Sequence, residues 1–230
     1  MTIINIRPPK ECYDGTVLDG EVVIEDKKKV FLVFDVVAWA GKTVGTFNLP
    51  TRMSYIIKSK KRFMRCPNED IRIRPKVFSS LKDALGFQKH FVPTLKYKTD
   101  GYILTPIFDH VQVGTHNTMF KWKPLIDNTI DFLVKESSWK NKEDVWDMFI
   151  QEKGELVFQG HLPKEDLAQK WTKLLLKGPV ILECKLDKEH WKPVRHRKDK
   201  TMPNSRLCFY RTLTNINEDI KEDEIINMVS

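Results

Sequence analysis

The sequence predicts an α+β chain in which an antiparallel sheet domain is followed by a small β-barrel. Three observations carry that prediction. Residues 16–25 and 30–37 are rich in β-branched and aromatic residues and flank the charged turn Asp26-Lys-Lys-Lys29, the pattern of paired antiparallel strands. Helical periodicity is confined to short stretches, the clearest of them after Pro50 and after Pro163. Beyond residue 137, short strand-like runs surround one helical stretch over about 90 residues, which suits a closed barrel of the OB-fold type.

Along the first part, Pro50 opens a helix through Met53, Ile56 and Ile57. Residues 58–76 carry Lys58, Lys60, Lys61, Arg62, Arg65, Arg72, Arg74 and Lys76, and read as a solvated loop, with an RNA path as the alternative. Ser80 stands where it can cap a short helix through Leu85. Strands are expected at 102–106, 118–123 and 129–135. The charged segment 136–143 reads as a linker, so the domains are expected at 1–136 and 137–230. In the second, 155–159 reads as a strand and Pro163 begins a helix with Glu165 and Asp166 in its first turn. Leu167, Trp171, Leu174 and Leu175 form its apolar stripe, and Gly178-Pro179 ends it. Residues 180–186 and 207–212 read as further strands.

Composition narrows the function classes. Of 230 residues, 41% are hydrophobic and 30% charged, as in a soluble globular protein. No run approaches the ~18–20 apolar residues of a membrane span, and the first ten residues hold no secretory core, so an intracellular location and no membrane partner are expected. Cysteines 12, 66, 184 and 208 form no Cys-x-x-Cys and have no zinc-ligand spacing with histidine, so reduced, mostly buried thiols are expected. The scattered histidines, such as His110 and His116, read as structural or solvent-facing. The net charge of +8 is uneven: residues 215–230 form an acidic tail of −4, leaving +12 on the rest. A basic body suits a nucleotide or RNA partner, although charge alone also fits a solubilising surface.

Five constellations carry possible chemistry. Asp19-Gly20-Glu21 lies in the first strand pair, where Glu21 also fits a surface salt bridge. Phe34 can stack on a base or fill the core, and Asp35, set in an apolar strand, needs a partner. Lys98-Thr-Asp-Gly101 matches a nucleophilic Lys-x-Asp-Gly, but position 103 is Ile rather than Arg and Asp19-Gly-Glu precedes it. The better role falls to Asp100 as a metal-facing carboxylate, because Mg²⁺ binds through one or two carboxylates plus phosphate oxygens. Lys121 and Lys123 flank Trp122 at i and i+2, so in a strand both ammonium groups share a face and call for an anion, unless both are simply solvated. Arg197, Asp199 and Lys200 precede Pro203-Asn204; Arg grips phosphate bidentately and Lys as a point charge.

Taken in this order, from Asp19 to Asn204, these segments resemble the mRNA-capping guanylyltransferases of the covalent nucleotidyltransferase superfamily. Asp19-Gly-Glu21 looks like the third motif, Phe31 to Asp35 the strand after it, Asp100-Gly-Tyr-Ile-Leu-Thr-Pro106 the fourth and Phe120-Lys-Trp-Lys-Pro124 the fifth. Glu183-Cys184, Trp191 and Arg197-x-Asp-Lys-x-x-Pro-Asn204 look like the sixth, which polynucleotide ligases normally lack. The stretch from Val113 to Pro124, with Thr129-Ile-Asp-Phe132, looks closest to capping enzymes of large cytoplasmic DNA viruses. The resemblance implies a partial nucleotidyltransferase domain with a ligase-like (ATP-grasp) antiparallel sheet, followed by an OB-fold. It implies that a lysine attacks the α-phosphate of GTP, releases pyrophosphate, and passes GMP to a 5′-diphosphate RNA end. Glu21 would contact the ribose or help hold Mg²⁺ or Mn²⁺, Phe34 would stack on guanine and Asp100 would serve the metal. Lys121 and Lys123 would touch the α-phosphate. Arg197, Asp199 and Lys200 would close over the β- and γ-phosphates.

The sequence departs from the family at its first motif. No Lys-x-Asp-Gly-x-Arg precedes Asp19, since Lys10 is followed by Glu-Cys. The expectation is therefore a part of a longer or split capping enzyme, a chain whose nucleophile comes from a partner, or a non-catalytic nucleotide- or RNA-binding homologue or scaffold. An RNA triphosphatase and a cap methyltransferase are implied as companions. The location implied is host cytoplasm or virion for a viral protein, and the nucleus otherwise.

Overall fold

The computed structural model describes residues 8–59, 63, 71–138, 144–165 and 167–227. It falls into two compact units, one running to Trp122 and taking in Ile226, the other Lys123–Ile225.

The first unit is built on an antiparallel hairpin of β1 (Val17–Glu25) and β2 (Lys28–Trp39). The tight turn places Asp26 and Lys27 at positive φ, as a twist-compatible two-residue hairpin requires. Short β3 (Lys42–Thr43) pairs with the end of β2, and β4 (Arg72–Pro75) adds to β2 in parallel. Gly20 has a packing reason: a Cβ there would lie 2.5 Å from the Leu32 carbonyl oxygen and 2.7 Å from the Phe31 ring. Helix α1 (Leu49–Ser59) starts where Asn48 Oδ1 accepts a hydrogen bond from Thr51 N at 2.9 Å. Its Leu49, Met53 and Ile56 pack on Val33, Val36 and Trp39 of β2. Ile57, expected on the buried stripe, is exposed. Helical turns from Leu81 to Thr94 include α2 (Ala84–Gly86) and extend past the helix expected to end at Leu85. A separate antiparallel pair joins β5 (Tyr102–Leu104) to β6 (Phe120–Trp122), with Tyr102 and Trp122 stacked at 5.5 Å.

The second unit is a five-stranded antiparallel sheet of β7 (Thr129–Glu136), β8 (Val145–Glu152), β9 (Glu155–Pro163), β10 (Val180–Asp187) and β11 (His190–His196). The order is β11-β10-β7-β8-β9, and the two outer strands approach each other. Helix α3 (Gln169–Leu175) lies between β9 and β10 in sequence. The core gathers Ile130, Phe132, Trp146, Met148, Ile150 and Leu182 with Leu167, Trp171 and Leu175 of the expected stripe. Helix α4 (Arg206–Glu218) packs Phe209 into the same core, and α5 (Glu222–Asn227) follows.

Several expectations are corrected. The division falls after Trp122, not after residue 136, because β7 hydrogen-bonds to β8 and β10. The charged segment 136–143, of which 139–143 lie outside the described residues, thus connects neighbouring strands of one sheet. Pro163 ends β9, and the helix begins at Gln169; Asp166 lies outside the described residues. Residues 207–212 are helical, since Ser205 Oγ accepts from Cys208 N and Phe209 and Leu213 recur at helical spacing on the core. The acidic stretch is helical over Glu222–Asn227 rather than a tail through its described length. Of the described cysteines Cys184 is buried while Cys12 and Cys208 are partly exposed; Cys66 lies outside the described residues. Of the basic run, 60–62 and 64–70 are likewise outside, and 72–75 form a strand rather than a loop. Among the described residues no helix is long and apolar enough to cross a membrane.

Candidate active site

In the first unit, the β1–β2 hairpin positions Glu21, Phe34 and Asp35, with register shifts at Val17/Leu18 and Asp19/Gly20. Glu21 pairs across the hairpin with Leu32 and shares its face, whereas Phe34 is the extra residue of a β-bulge, between Val33 opposite Gly20 and Asp35 opposite Asp19. Asp35 points toward α1. There both its carboxylate oxygens accept from Arg52, at 2.6 Å from Nε and 2.8 Å from Nη2. Arg52 is itself buried and donates through Nη1 to the carbonyls of Phe47 and Asp109. The partner that the largely buried Asp35 needs is therefore Arg52, and the pair fastens two loops to α1. Asp35 belongs to the scaffold.

Phe34 is half-buried. Glu21 is ion-paired with Lys76 at 2.5 Å, and Glu25 with Arg74. Burial raises the Tyr97 phenol above its ordinary value, Arg74 opposes this, and Glu21 and Glu25 add to it. Lys76, Arg74 and Tyr97 were not singled out as site residues in the sequence. The i, i+2 spacing of Arg72 and Arg74 on a strand was the signal available, with Lys76 just past the end of β4.

Asp100 precedes β5, and Lys121 sits on β6 opposite Ile103. Lys121 Nζ donates to Asp100 Oδ2 at 3.3 Å, both groups being about half exposed. The fourth- and fifth-motif residues thus meet. Lys123 lies beyond the end of β6, so the strand alternation that set it on one face with Lys121 does not reach it. Lys98 is exposed in the loop before Asp100. Among the described residues no three His, Cys, Asp or Glu side chains cluster to hold a metal.

In the second unit, Arg197 follows β11 and its amide donates to the Ile181 carbonyl at 2.9 Å. Its Nη1 donates to both oxygens of Asp131, at 3.1 and 2.8 Å. Its Nε and Nη2 donate to the two oxygens of Asp199, at 3.0 and 2.8 Å. Glu183 Oε2 lies 3.7 Å from Nη1 and is gripped by Arg195, while Thr129 donates to its other oxygen. The Asp199 hydrogen bond leads in raising the Arg197 guanidinium pKa, and reciprocally holds Asp199 well below the usual carboxylate range. Lys200 N donates to the Arg197 carbonyl at 3.1 Å, closing the turn. A groove beside it is lined by Leu133, Ile181, His196, Lys198, Lys200 and Thr201.

The family model of the mRNA capping enzyme catalytic domain matches residues 2–125, and that of the mRNA capping enzyme C-terminal domain residues 127–226. Among curated proteins, the mRNA-capping enzyme subunit alpha of Schizosaccharomyces pombe is 27% identical, over 96% of this chain and 62% of its own. The mRNA-capping enzyme of Mus musculus is 24% identical over 94% of this chain and 38% of its own. That of African swine fever virus is 33% identical over 53% of this chain and 14% of its own. A two-part protein with a catalytic and a C-terminal domain is the class these matches define. The chain belongs to the mRNA capping enzyme family. It spans less than two thirds of the length of these relatives.

Proposed function

We propose that this chain is the guanylyltransferase body of an mRNA capping enzyme, acting on GTP and a 5′-diphosphate RNA end through a lysyl-GMP adduct. The observation that carries the proposal is the meeting of Asp100 and Lys121, which stand 21 positions apart in two motifs. A half-exposed ammonium held loosely by one carboxylate is available to an α-phosphate, and each such contact contributes about 3–4 kcal/mol to lowering a barrier.

In this reading Phe34 stacks on guanine and Glu21 accepts from a ribose hydroxyl. The ammonium of Lys76 beside Glu21 disfavours a cation there, so the ribose role suits Glu21 better than a metal role. A divalent ion, Mg²⁺ or Mn²⁺, fits Asp100, whose single carboxylate is sufficient where nucleotide oxygens complete the shell. Such an ion would neutralise phosphate charge. Lys123 joins Lys121 at the α-phosphate, and Arg197 and Lys200 serve the β- and γ-phosphates, with Asp199 acting through Arg197, whose Nε–Nη2 edge it holds. For the second unit we read an OB-fold, supported by its strand order, the approach of its outer strands and the helix between its third and fourth strands. For the first we read a ligase-like sheet.

The 230 residues hold no Lys-x-Asp-Gly-x-Arg, so the covalent step takes its lysine from a segment or chain outside them. Relatives named as capping enzyme subunits favour an assembly, with an RNA triphosphatase and a cap methyltransferase as companions. We place it in host cytoplasm or virion if viral, and in the nucleus otherwise. A second reading, a nucleotide- or RNA-binding homologue without chemistry, draws on the same lack of a nucleophile motif. The chain alone, given α-labelled GTP with Mg²⁺ or Mn²⁺ and then denatured, is expected to retain no label. Label that maps to Lys98 would overturn the assignment of an outside nucleophile.

A further inference from the structure

We propose that Asp131 is the positioning residue for Arg197, and that Asp199 is an exchangeable partner whose place a phosphate group takes. This rests on reading the 197–200 turn as a phosphate contact. The donors of Arg197 divide in two. Nη1 faces inward to Asp131, whose side chain is 7% exposed, while the Nε–Nη2 edge faces Asp199, whose side chain is 66% exposed. Asp131 also fixes the far end of the same turn: its N–H donates to Asn204 Oδ1 at 2.8 Å and its carbonyl accepts from Asn204 N at 2.8 Å. One residue of β7 thereby ties down both Arg197 and Asn204.

The energetics of the two carboxylates differ. Breaking a buried pair by removing one partner is costly, whereas the Asp199 carboxylate is open to water and can give way to another anion at the same edge. The planar edge that holds two carboxylate oxygens holds two phosphate oxygens in the same way. The groove beside it adds Lys198 and Lys200, and its described lining contains no carboxylate. Polyphosphate therefore displaces Asp199 and leaves Asp131 in place, with the guanidinium already oriented.

The test is calorimetric binding of sodium tripolyphosphate to the 230-residue chain at fixed ionic strength. Removing the competing charge with Asp199→Asn should tighten binding about tenfold, and Asp131→Asn should weaken it by a similar factor. The gain should vanish in an Arg197→Lys background, a coupling that a merely structural role would not produce. Because Asp131→Asn can unfold the unit, the wild-type chain gives an independent readout. Tripolyphosphate should shift the Nε–Hε NMR signal of Arg197 and leave that of Arg195 in place. No binding, unchanged or weaker binding by Asp199→Asn, or an unmoved Arg197 signal each overturns the proposal. If exchange occurs but the chain, supplied with a nucleophile segment, forms no GMP adduct, the capping reading fails and this one stands.

Discussion

Asp131 and Arg197, 66 positions apart, are joined by two hydrogen bonds from a single guanidinium nitrogen. Around that bond Glu183 and Asp199 complete a ring of carboxylates. The ring has a pH signature. Burial pushes the Glu183 carboxyl up, but hydrogen bonds from Thr129 and Arg195 outweigh it and leave the group below its ordinary value. A depressed folded value means stability that is fully present above the unfolded value, about 4.3, and is lost as pH falls through the folded one. Asp131 has the opposite sign, because burial raises it: its contribution is present below the unfolded value and lost as pH rises through the folded one. Glu183→Gln should therefore flatten the fall in melting temperature below about pH 4.5. A variant whose melting curve keeps the wild-type acid slope would refute this assignment.

Asp35→Ala should destabilise the first unit by about 3–5 kcal/mol, because it leaves the buried Arg52 guanidinium without its counter-charge. Urea unfolding followed by tryptophan fluorescence measures it. A loss under ~1 kcal/mol would mean that the pair is not the fastening described.

Gly20→Ala should cost about 1–3 kcal/mol through overpacking, since the new methyl meets the Leu32 carbonyl, which belongs to the sheet and cannot rotate away. Denaturant midpoints of the two proteins decide it, and equal midpoints would show that the hairpin relaxes freely.

Cys184 should resist alkylation in the native chain. Burial raises its thiol far above the ordinary value, so little thiolate forms and little of it is reachable. Peptide mapping after brief iodoacetamide treatment should find Cys12 and Cys208 modified first. Early modification of Cys184 would place it outside the core.

Local pattern made the β1–β2 hairpin, α1 and the α3 stripe legible, because alternation, Pro50 and helical spacing are signals between near neighbours. β8 is not among the elements read from the sequence, which leaves Val145-Trp-Asp-Met-Phe-Ile150 unassigned between the linker and 155–159, although its side chains alternate well enough to bury Trp146, Met148 and Ile150. α4 was read as a strand because Leu207 and Phe209 also alternate, and the Ser205 cap decided for the helix. Of the candidate site, Asp100 and Lys121 were named and do meet. The partners Arg52, Lys76 and Asp131 were not named as partners, since they lie 17, 55 and 66 positions from Asp35, Glu21 and Arg197, and only the fold brings them together.

The central claim is that Lys121 and Arg197 serve phosphate chemistry on GTP. It is tested most directly by joining the chain to a segment carrying Lys-x-Asp-Gly-x-Arg and measuring denaturation-resistant label from α-labelled GTP. The joined protein should become labelled, and Lys121→Ala and Arg197→Ala should each lower labelling by about a hundredfold or more. Full labelling in both variants would contradict the account.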